Sequence, residues 1–522
     1  MYYSKIPFFN VFLLYKILIV MKKTVILFLF SLTTLLNAQS VYFNKRISIP
    51  GGQELSRGIF PYKSGYLIAG GFQDEYMICH MFMSQIDSTG NLKWTQDYTT
   101  EGYDYYPGLS GSFIQTNDKH YAICGIRTLG PKGYGFLIKV DSVGNKKWEK
   151  EYQMSDDNNG FYSGNITIDS GYILTGFANA GTTRYQYLLL KADLNGNQQW
   201  YKTFTDGHPS RQYSGASVIQ TPDKGFCLGG CGGYMGSNNS YKGISEVIKT
   251  DSLGNQEWKK SYGDPNYSNG GGKLCLSKDS CILFTYSITT RFVIAVEDYK
   301  QPYLTKLGLD GSVKWNRKIA NVQSMNATTY IQTLEDGNFI LSGGYAVKDT
   351  FFKNIGWLYK IKSNSDSLWY REYAFLQGPE DVNQLMQVKQ TTDLGFVGVG
   401  TVYPKIGTGE QDVWLFKTDS MGCLIPNCDV GIAEFNPNAG AQMLIYPNPF
   451  KEVFAINYSI PKESKKGVFE LRDVMGRLVY STTLSNNVRQ LQVVASALKP
   501  GVYIASLILD NVKVFSEKII KE

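Results

Sequence analysis

The sequence is poor in the residues on which most enzymes rely. Only three histidines, His80, His120 and His208, occur in 522 residues, and they lie far apart in the chain. No zinc-protease, serine-hydrolase or phosphate-loop motif is present. The oxygen-rich stretch Asp156–Gly160 lacks the ligand spacing of an EF-hand calcium loop. The sequence therefore predicts no catalytic residue, no metal site and no cofactor.

Long runs of basic or apolar residues are also missing. The net charge of +7 is spread thinly over the chain, which argues against nucleic acid as a partner. The apolar run Val25–Leu36 is shorter than the about 20 residues that a membrane span needs. It follows the basic residues Lys22 and Lys23 and precedes Ala38, a small residue suited to cleavage. Residues 21–38 are therefore predicted to be a signal peptide for export.

Residues 1–20 stand before this predicted signal peptide. They are apolar as well, although Lys5 and Lys16 interrupt the apolar character. We interpret them as an extension wrongly placed before a true start at Met21, because the signal-peptide pattern begins there. The alternative is a longer N-terminal membrane anchor.

Cysteine is sparse, with eight residues in the chain. An exported protein is free to use them in disulfides. Cys423 and Cys428 flank a tight Leu-Ile-Pro-Asn loop, which predicts a local bridge. Cys275 and Cys281 flank a hairpin turn and are either a cross-strand disulfide or two free buried thiols.

Aromatic residues and glycine are abundant, with 37 tyrosines and 53 glycines, which suits short strands joined by many turns. A tryptophan recurs six times at intervals of 50 to 60 residues, after a turn such as the one in Asp141–Trp148. An interval of this length indicates one supersecondary unit that is copied many times. The tryptophans are Trp94, Trp148, Trp200, Trp258, Trp315 and Trp369.

Each unit reads as four short antiparallel strands. A strand ending in glycine, such as Tyr66–Gly70, appears in seven copies when a degenerate one is included. The sequence therefore predicts an all-β protein with a seven-bladed β-propeller over residues 39–430. The seventh unit lacks its last strand, and the segment Phe43–Ile47 aligns with Trp315–Ile319. We expect this N-terminal strand to complete the last blade, with Phe43 in the place of a seventh tryptophan, and so to remove a free sheet edge.

The turn and the tryptophan strand after it resemble the tryptophan-docking motif of quinoprotein-type and related bacterial propellers. The resemblance implies that each tryptophan wedges between neighbouring blades, where an indole buries a large area. The repeated tryptophans are therefore expected to be structural. The likeness implies a scaffold and no quinone.

The composition changes after the predicted propeller. Residues 431–442 read as a polar linker, and residues 443–522 read as a small β-sandwich of alternating strands and turns. This last stretch resembles the type A C-terminal sorting domain of the type IX secretion system of Bacteroidetes. The residues that carry the likeness are Tyr446, Pro447, Asn448, Pro449, Asp473, Gly476, Gly501, Tyr503, Lys518 and Lys521.

The resemblance implies export in two steps. The signal peptide takes the chain across the inner membrane, and the type IX machinery then recognises the sorting domain at the outer membrane. The domain is removed, and the cargo is released or attached to surface lipopolysaccharide. We therefore expect a monomer that is secreted or held on the outer cell surface.

One feature of the loops is a candidate for binding. The segments that lead into the first strand of a unit hold aromatic residues at matching places. Exposed rings near the mouth of a propeller channel would stack on sugars or on a partner's apolar side chains. The alternative is that these rings pack against neighbouring blades. The residues are Tyr105, Tyr106, Phe161, Tyr162, Tyr213 and Tyr267.

Three functions are compatible with these patterns. The first is a secreted or surface-displayed module that binds a glycan or a protein, as in adhesion. The second is a secreted polysaccharide hydrolase or lyase at the channel mouth, with acidic residues assembled from distant blades. The third is a purely structural surface protein. The missing catalytic motifs favour the first, because a propeller fold alone does not select among them.

Overall fold

The structure is a computed structural model. It describes residues 41–49, 52–154, 158–179, 184–208, 210–235, 241–289, 300–320, 326–346, 353–378, 380–404, 410–424, 442–460, 467–473, 476–484, 490–510 and 512–522. The predicted extension 1–20, the signal peptide 21–38, Cys428 and nearly all of the linker 431–442 lie outside these residues. Part of the oxygen-rich stretch, Asp156 and Asp157, lies outside them too.

All regular secondary structure in the described residues is β-strand, which confirms the predicted all-β class. The chain begins with β1 (Phe43–Ile47). Three antiparallel sheets follow, and in each of them the strands pair largely in chain order. Their strands are β2 (Gln53–Tyr62), β3 (Gly65–Gln73), β4 (Cys79–Ile86) and β5 (Leu92–Asp97); β6 (Asp104–Pro107), β7 (Phe113–Gln115), β8 (Tyr121–Leu129), β9 (Lys132–Val140) and β10 (Lys146–Tyr152); and β11 (Asn159–Ile166), β12 (Tyr172–Ala178), β13 (Gln186–Ala192) and β14 (Gln198–Phe204).

Two more four-stranded sheets and one eight-stranded sheet continue the series. The eight-stranded sheet is two four-stranded halves joined by one residue pair, Asn354 with Val382. The strands are β15 (Gln212–Gln220), β16 (Phe226–Met235), β17 (Tyr241–Thr250) and β18 (Gln256–Tyr262); β19 (Ser268–Leu276), β20 (Ile282–Thr289), β21 (Lys300–Leu307) and β22 (Val313–Lys318); and β23 (Asn326–Thr333), β24 (Phe339–Ala346), β25 (Asn354–Ile361), β26 (Ser367–Tyr373), β27 (Val382–Gln390), β28 (Phe396–Tyr403) and β29 (Asp412–Thr418).

The first strands of these sheets contact one another in a closed ring. The order around the ring is β2, β7, β11, β15, β19, β23, β27 and back to β2. Apolar cores fill the spaces between successive sheets. On β12, for example, Leu174 packs with Leu137 of the sheet before it, and Ile173 packs with Leu228 of the sheet after it. Successive strand residues point to opposite faces, so β12 is buried on both sides.

The N-terminal strand β1 lies at the edge of the last sheet. It pairs antiparallel with β29, with Phe43 opposite Lys417 and Ile47 opposite Val413. Asn44 accepts a hydrogen bond from Trp414 Nε1 at 2.6 Å. The strand therefore covers backbone groups of β29 that would otherwise form a free edge.

The repeated turn is built by its aspartate. Asp141 Oδ1 accepts hydrogen bonds from the backbone N–H groups of Val143 (3.1 Å) and Asn145 (2.9 Å), and Gly144 adopts a φ of 94°. An aspartate that binds the backbone two residues on fixes such a turn, and a positive φ favours glycine. The same arrangement of aspartate and backbone recurs at Asp87, Asp193, Asp251 and Asp419.

In five of the repeated turns a glycine leaves room for an aromatic ring of the preceding sheet, whereas at Gly311 the nearest side chain is that of Lys260. A Cβ at Gly144 would lie 3.1 Å from the indole of Trp94. At Gly90 the nearby ring is that of Phe43, 2.9 Å from such a Cβ. Ring and glycine thus fit each other where two sheets meet. The other pairs of this kind are Trp148 with Gly196, Trp200 with Gly254 and Trp369 with Gly422.

The C-terminal region consists of two further antiparallel sheets. Apolar residues of both, such as Ile456 of one and Phe469 and Leu507 of the other, share a single core. Nowhere in the described part of the chain is there a helix with the length and apolar character to cross a membrane. The strands are β30 (Gln442–Tyr446), β31 (Val453–Ser459) and β34 (Gln490–Val494), and β32 (Gly467–Asp473), β33 (Leu478–Leu484), β35 (Gly501–Leu509) and β36 (Val512–Lys521).

The possible disulfide between Cys275 and Cys281 does not form. Both residues carry free thiols, because Cys275 pairs with Leu283 across the hairpin while Cys281 lies opposite Ser277. The thiol of Cys275 contacts Thr333 of the neighbouring sheet at 3.5 Å. Cys423 is buried and carries no free thiol. Its proposed partner at position 428 lies outside the described residues, so that pairing stays a prediction.

Candidate functional site

The first strand of nearly every sheet carries a β-bulge at the same level. The register shifts after Ser56 in β2, and it shifts at the equivalent place in β11, β15, β19, β23 and β27. In the second sheet the strand is broken outright into β6 and β7. A bulge leaves an extra residue unpaired and re-aims the side chains around it. The bulges therefore set a ring of irregular backbone around the channel.

A group of hydrogen bonds, here called the plug, spans the channel at this level. Ser110, between β6 and β7, donates through its hydroxyl to the carbonyl of Thr329 on β23. The carbonyl of Ser110 accepts from Lys273 Nζ on β19 at 3.0 Å, and Lys273 also donates to the carbonyl of Ala216 on β15 at 3.1 Å. Because β7, β15, β19 and β23 stand around the ring, these bonds tie its opposite sides together.

A cavity of about 460 Å³ lies between the plug and the far ends of the first strands. Its volume falls in the range of about 300–1,000 Å³ that is typical of small-molecule sites. The lining is mostly polar, and no aspartate or glutamate of the described residues belongs to it. The polar side chains are Ser110, Gln115, Ser163, Asn165, Ser217, Gln220, Lys273, Gln332, Thr333, Gln387 and Lys389, and the rings are Phe60, Phe113 and Tyr330.

Gln332 brings an unused acceptor to this cavity. Its Oε1 atom is buried and has no hydrogen-bond partner. Gln387 differs, because its Oε1 accepts from the backbone N–H of Ile59 at 2.7 Å. A buried carbonyl without a donor costs stability, and such groups in a cavity call for a ligand or water as partner. The Gln332 side chain therefore lines the cavity with an acceptor that no described residue uses.

Two lysines line the cavity. Burial, together with the nearby charge of Arg57, lowers the pKa of Lys273 to about 7. Lys389 Nζ lies 2.5 Å from the hydroxyl of Tyr330 and 4.8 Å from the ring centroid of Phe60. No carboxylate of the described residues pairs with either lysine. Positive charge in a cavity that is partly open but lined by protein attracts anions more strongly than charge in bulk water.

Buried lysines elsewhere in the same repeat do have partners. Lys191 on β13 is 5% exposed and lies 2.9 Å from Asp169 in the turn after β11. Lys249, which is fully buried, binds both Asp223 and Glu257 at 2.9 Å. The other pairs of this type are Lys139 with Asp118, Lys306 with Asp279 and Lys417 with Asp393. The unpaired lysines are thus a feature of the channel and not of the repeat.

The six predicted aromatic residues do not form one exposed platform. Tyr105, Phe161 and Tyr213 are buried, and their rings pack on Phe136, Tyr152 and Tyr187 at centroid distances of 5.1 to 5.5 Å. The alternative that these rings pack inside the fold therefore describes these three.

The other three predicted rings are more accessible. Tyr162 is half-buried against Phe177, with ring centroids 5.4 Å apart. Tyr106 and Tyr267 are 45% and 40% exposed. None of the three lines the cavity. A binding role for Tyr106 and Tyr267 stays a prediction.

A second cluster of ionisable groups lies outside the cavity lining. Glu246 is 5% exposed and accepts a hydrogen bond from the hydroxyl of Tyr187 at 3.0 Å. Lys259 Nζ lies 3.2 Å from the same carboxylate and 5.0 Å from the ring centroid of Tyr213. Burial raises the pKa of Tyr187 well above its usual value, and the charge of Glu246 adds to the effect. This cluster stabilises the packing of two sheets.

The sequence offers only a weak signal for the cavity residues. Ser217 and Gln220 stand in a recognisable alternating strand, but alternation alone does not say which face meets the channel. The bulge between Gly215 and Ser217 shifts the pattern by one residue. Lys273 follows a run of three glycines, an unusual feature that could have marked a bulge. Within the described residues, no group of three histidine, cysteine or acidic side chains is placed to hold a metal ion.

The sorting-signal residues fall into an exposed set and a buried set. Lys521 is 7% exposed, and its Nζ donates to the carbonyls of Lys451 (2.7 Å) and Ala495 (2.8 Å). The hydroxyl of Tyr503 donates to the carbonyl of Lys499 at 2.7 Å. Those two side chains hold the domain together. The exposed set consists of Tyr446, Pro447, Asn448, Pro449, Gly476, Gly501 and Lys518.

Two of these sorting residues build local structure as well. Asn448 donates to the carbonyl of Lys518 and accepts from the N–H of Ile520, both at 2.9 Å, so the start of the domain is fastened to its last strand. Asp473 accepts from the N–H of Arg477 at 3.0 Å across the turn that contains Gly476, whose φ is 78°. Part of the motif therefore serves folding.

Solved structures that match the chain share little sequence with it. A protein of unknown function from Dyadobacter fermentans is 10% identical, with a TM-score of 0.41, and the match covers 61% of this chain and 96% of that one. The β-propeller domain of the Trilobed protease from Pyrococcus furiosus is 9% identical, with a TM-score of 0.40 and coverages of 70% and 97%. A polysaccharide lyase described as a PL25 ulvan lyase is 7% identical, with a TM-score of 0.45 and coverages of 73% and 97%.

No curated protein matches the chain. One family model does match its last part, residues 444–522, and it is the secretion system C-terminal sorting domain. The match coincides with the two C-terminal sheets and with the motif residues described above. This domain marks proteins that the type IX secretion system exports. The protein is therefore a type IX secretion cargo, and it is secreted or displayed on the outer cell surface.

Proposed function

We propose that residues 39–430 form a seven-bladed β-propeller, with β1 completing the last blade, and that residues 443–522 form a β-sandwich. The ring of seven first strands supports the blade count. The single residue pair between Asn354 and Val382 supports dividing the eight-stranded sheet into two blades. The shared core of the two C-terminal sheets supports the sandwich. We also propose that the signal peptide, residues 21–38, is cleaved and that the exported protein is released or attached to surface lipopolysaccharide.

The function that we propose for the propeller is binding of a glycan in the central cavity. The observation that carries this proposal is a cavity of about 460 Å³ lined by amides, hydroxyls, two lysines and three rings, without a carboxylate of the described residues. Amide and hydroxyl groups match the donors and acceptors of sugar hydroxyls, and aromatic rings match their apolar faces. Gln332 supports the same proposal, because its amide lines the cavity and its Oε1 atom has no hydrogen-bond partner.

A lyase is the second candidate, and Lys273 favours it. A lysine whose pKa lies near 7 is partly neutral at physiological pH and is suited to act as a general base. A neutral amine retains two N–H donors for the carbonyls of Ser110 and Ala216 and has a lone pair left. Hydrolysis by a carboxylate pair receives no such support from the cavity lining.

An array of glycans and candidate protein partners, probed with the full chain, tests the binding function. We expect one class of saccharide to bind and expect Gln332→Leu to weaken binding by about tenfold, the effect of one lost hydrogen bond. The double variant Tyr106→Ala, Tyr267→Ala serves as the control and should bind as the wild type does. If the double tyrosine variant loses binding while Gln332→Leu binds normally, the binding site lies in the loops and not in the cavity.

The same samples separate the lyase and structural alternatives. A lyase acting on a uronate-containing chain leaves an unsaturated sugar, which absorbs ultraviolet light. Appearance of that absorbance, and its loss in Lys273→Met, would establish the enzyme. If the protein neither binds a saccharide nor forms a product, the purely structural role is the remaining explanation.

A further inference from the structure

The side chain of Lys389 is held in one orientation and has N–H donors that are not used. Its Nζ atom donates to the hydroxyl of Tyr330 and lies 4.8 Å and 4.9 Å from the ring centroids of Phe60 and Tyr330. An ammonium group has three N–H donors, and the hydroxyl uses one of them. The two rings stabilise the charge without neutralising it. The side chain is therefore held at the cavity wall with two donors available.

The channel contains more positive charge than its surroundings balance. Lys273 is part of the plug, and Arg57 on the bulge of β2 is close enough to influence its charge. The Nε atom of Arg57 is buried and has no hydrogen-bond partner. No carboxylate of the described residues pairs with Arg57, Lys273 or Lys389. Lys273 is buried, whereas Arg57 and Lys389 are partly exposed. Positive groups that no carboxylate balances favour a bound anion beside them.

We propose that the cavity selects saccharides that carry a carboxylate or sulfate group, and that Lys389 binds this group. The inference rests on the proposed glycan-binding function and names its ligand class. A saccharide is favoured over a bare anion because amides and hydroxyls line the rest of the cavity. Lys273 of the plug adds attraction when it is protonated, although it already donates to two carbonyls.

Titration of the full chain with matched oligosaccharides tests the proposal. One backbone is used in neutral, uronate-containing and sulfated form, with inorganic sulfate and an acidic peptide as further ligands. The variants are Lys389→Met and, as the matched control, Lys202→Met, whose partly exposed lysine lies outside the cavity lining and donates to Asn255 at 3.3 Å. Unchanged melting temperatures show that both variants are folded.

The wild type should bind a charged form about 10- to 100-fold more tightly than the neutral form, as expected for a charge-assisted hydrogen bond. Lys389→Met should lose that preference while still binding the neutral form, and Lys202→Met should keep it. A higher salt concentration should weaken the binding of the charged oligosaccharides and leave the binding of the neutral one unchanged.

Three results would overturn the proposal. Equal affinity for neutral and charged forms, unaffected by Lys389→Met, would refute charge selection and leave glycan binding intact. Inorganic sulfate or the acidic peptide competing as well as the charged saccharide would refute a saccharide ligand. No binding of any saccharide would refute the proposed function itself, together with this inference.

Discussion

At the scale of single residues, a glycine carries the contact between neighbouring sheets in five of the repeated turns. Gly196 adopts a φ of 77°, and a Cβ there would lie 2.7 Å from Trp148. The carbonyl of the same glycine accepts a hydrogen bond from the hydroxyl of Tyr152 at 2.6 Å. The turn thus binds the tryptophan and the aromatic residue four places later. Both its backbone conformation and its contact require glycine.

Replacing this glycine should therefore destabilise the protein. We expect Gly196→Ala to lower the free energy of unfolding by about 2–4 kcal/mol, from the strained φ and from overpacking against the indole. Chemical denaturation of the full chain measures the change.

A matched control separates the two contributions. Gly207 has nearly the same φ, 76°, but nothing lies within 4 Å of a Cβ placed there. Gly207→Ala should lower the free energy of unfolding by only about 1 kcal/mol, because only the cost of the positive φ applies there. Equal losses in the two variants would show that the indole contact contributes nothing.

At the scale of elements, the closure of the ring depends on a buried acidic pair. Glu54 on β2 is fully buried and accepts a hydrogen bond from the N–H of Ile49 at 2.8 Å. Arg46 of β1 donates to Asp412 of β29, and Asp412 is within hydrogen-bonding reach of Glu54. Burial, with the charge of Asp412 adding to it, raises the pKa of Glu54 from 4.5 to about 8. The folded protein therefore keeps Glu54 protonated at neutral pH.

This shift predicts a loss of stability as the pH rises. Between about 4.5 and about 8 the unfolded chain has released the proton of Glu54 while the folded protein still binds it, so stability falls across this window. Glu54→Gln, which cannot ionise, should be more stable than the wild type at pH 8 by on the order of 1–4 kcal/mol, and about equal to it near pH 4. Melting temperatures of both proteins from pH 4 to pH 9 test this. A difference between the two curves that does not change with pH would rule out the effect.

At the scale of the whole molecule, the sequence predicts the fold far better than the site. The all-β class follows from glycine, tyrosine and the repeated turns, because these properties act within a few residues of each other. The alignment of Phe43 with the tryptophans is likewise readable, and its ring lies against Gly90 as Trp94 lies against Gly144. Such contacts repeat, so each copy supports the interpretation of the others.

The residues that line the cavity cannot be predicted from the sequence in the same way, for a physical reason. Its residues come from different strands of the ring and meet only when the ring closes. A bulge in six of the first strands also changes which side chains face the channel, because one inserted residue reverses the alternation that a sequence pattern relies on. The aromatic residues Tyr105, Phe161 and Tyr213 were prominent in the sequence because they are large, and they are buried for the same reason.

The most direct test of the central claim is to fill the cavity and measure saccharide binding. Asn165 lines the cavity, and its Oδ1 atom accepts only from the neighbouring N–H of Ile166, at 2.9 Å. Asn165→Trp would place an indole in the space that we assign to the ligand. The account predicts that binding of the saccharide found on the array is lost while the melting temperature is retained. Unchanged affinity in this folded variant would contradict the claim that the central cavity is the binding site.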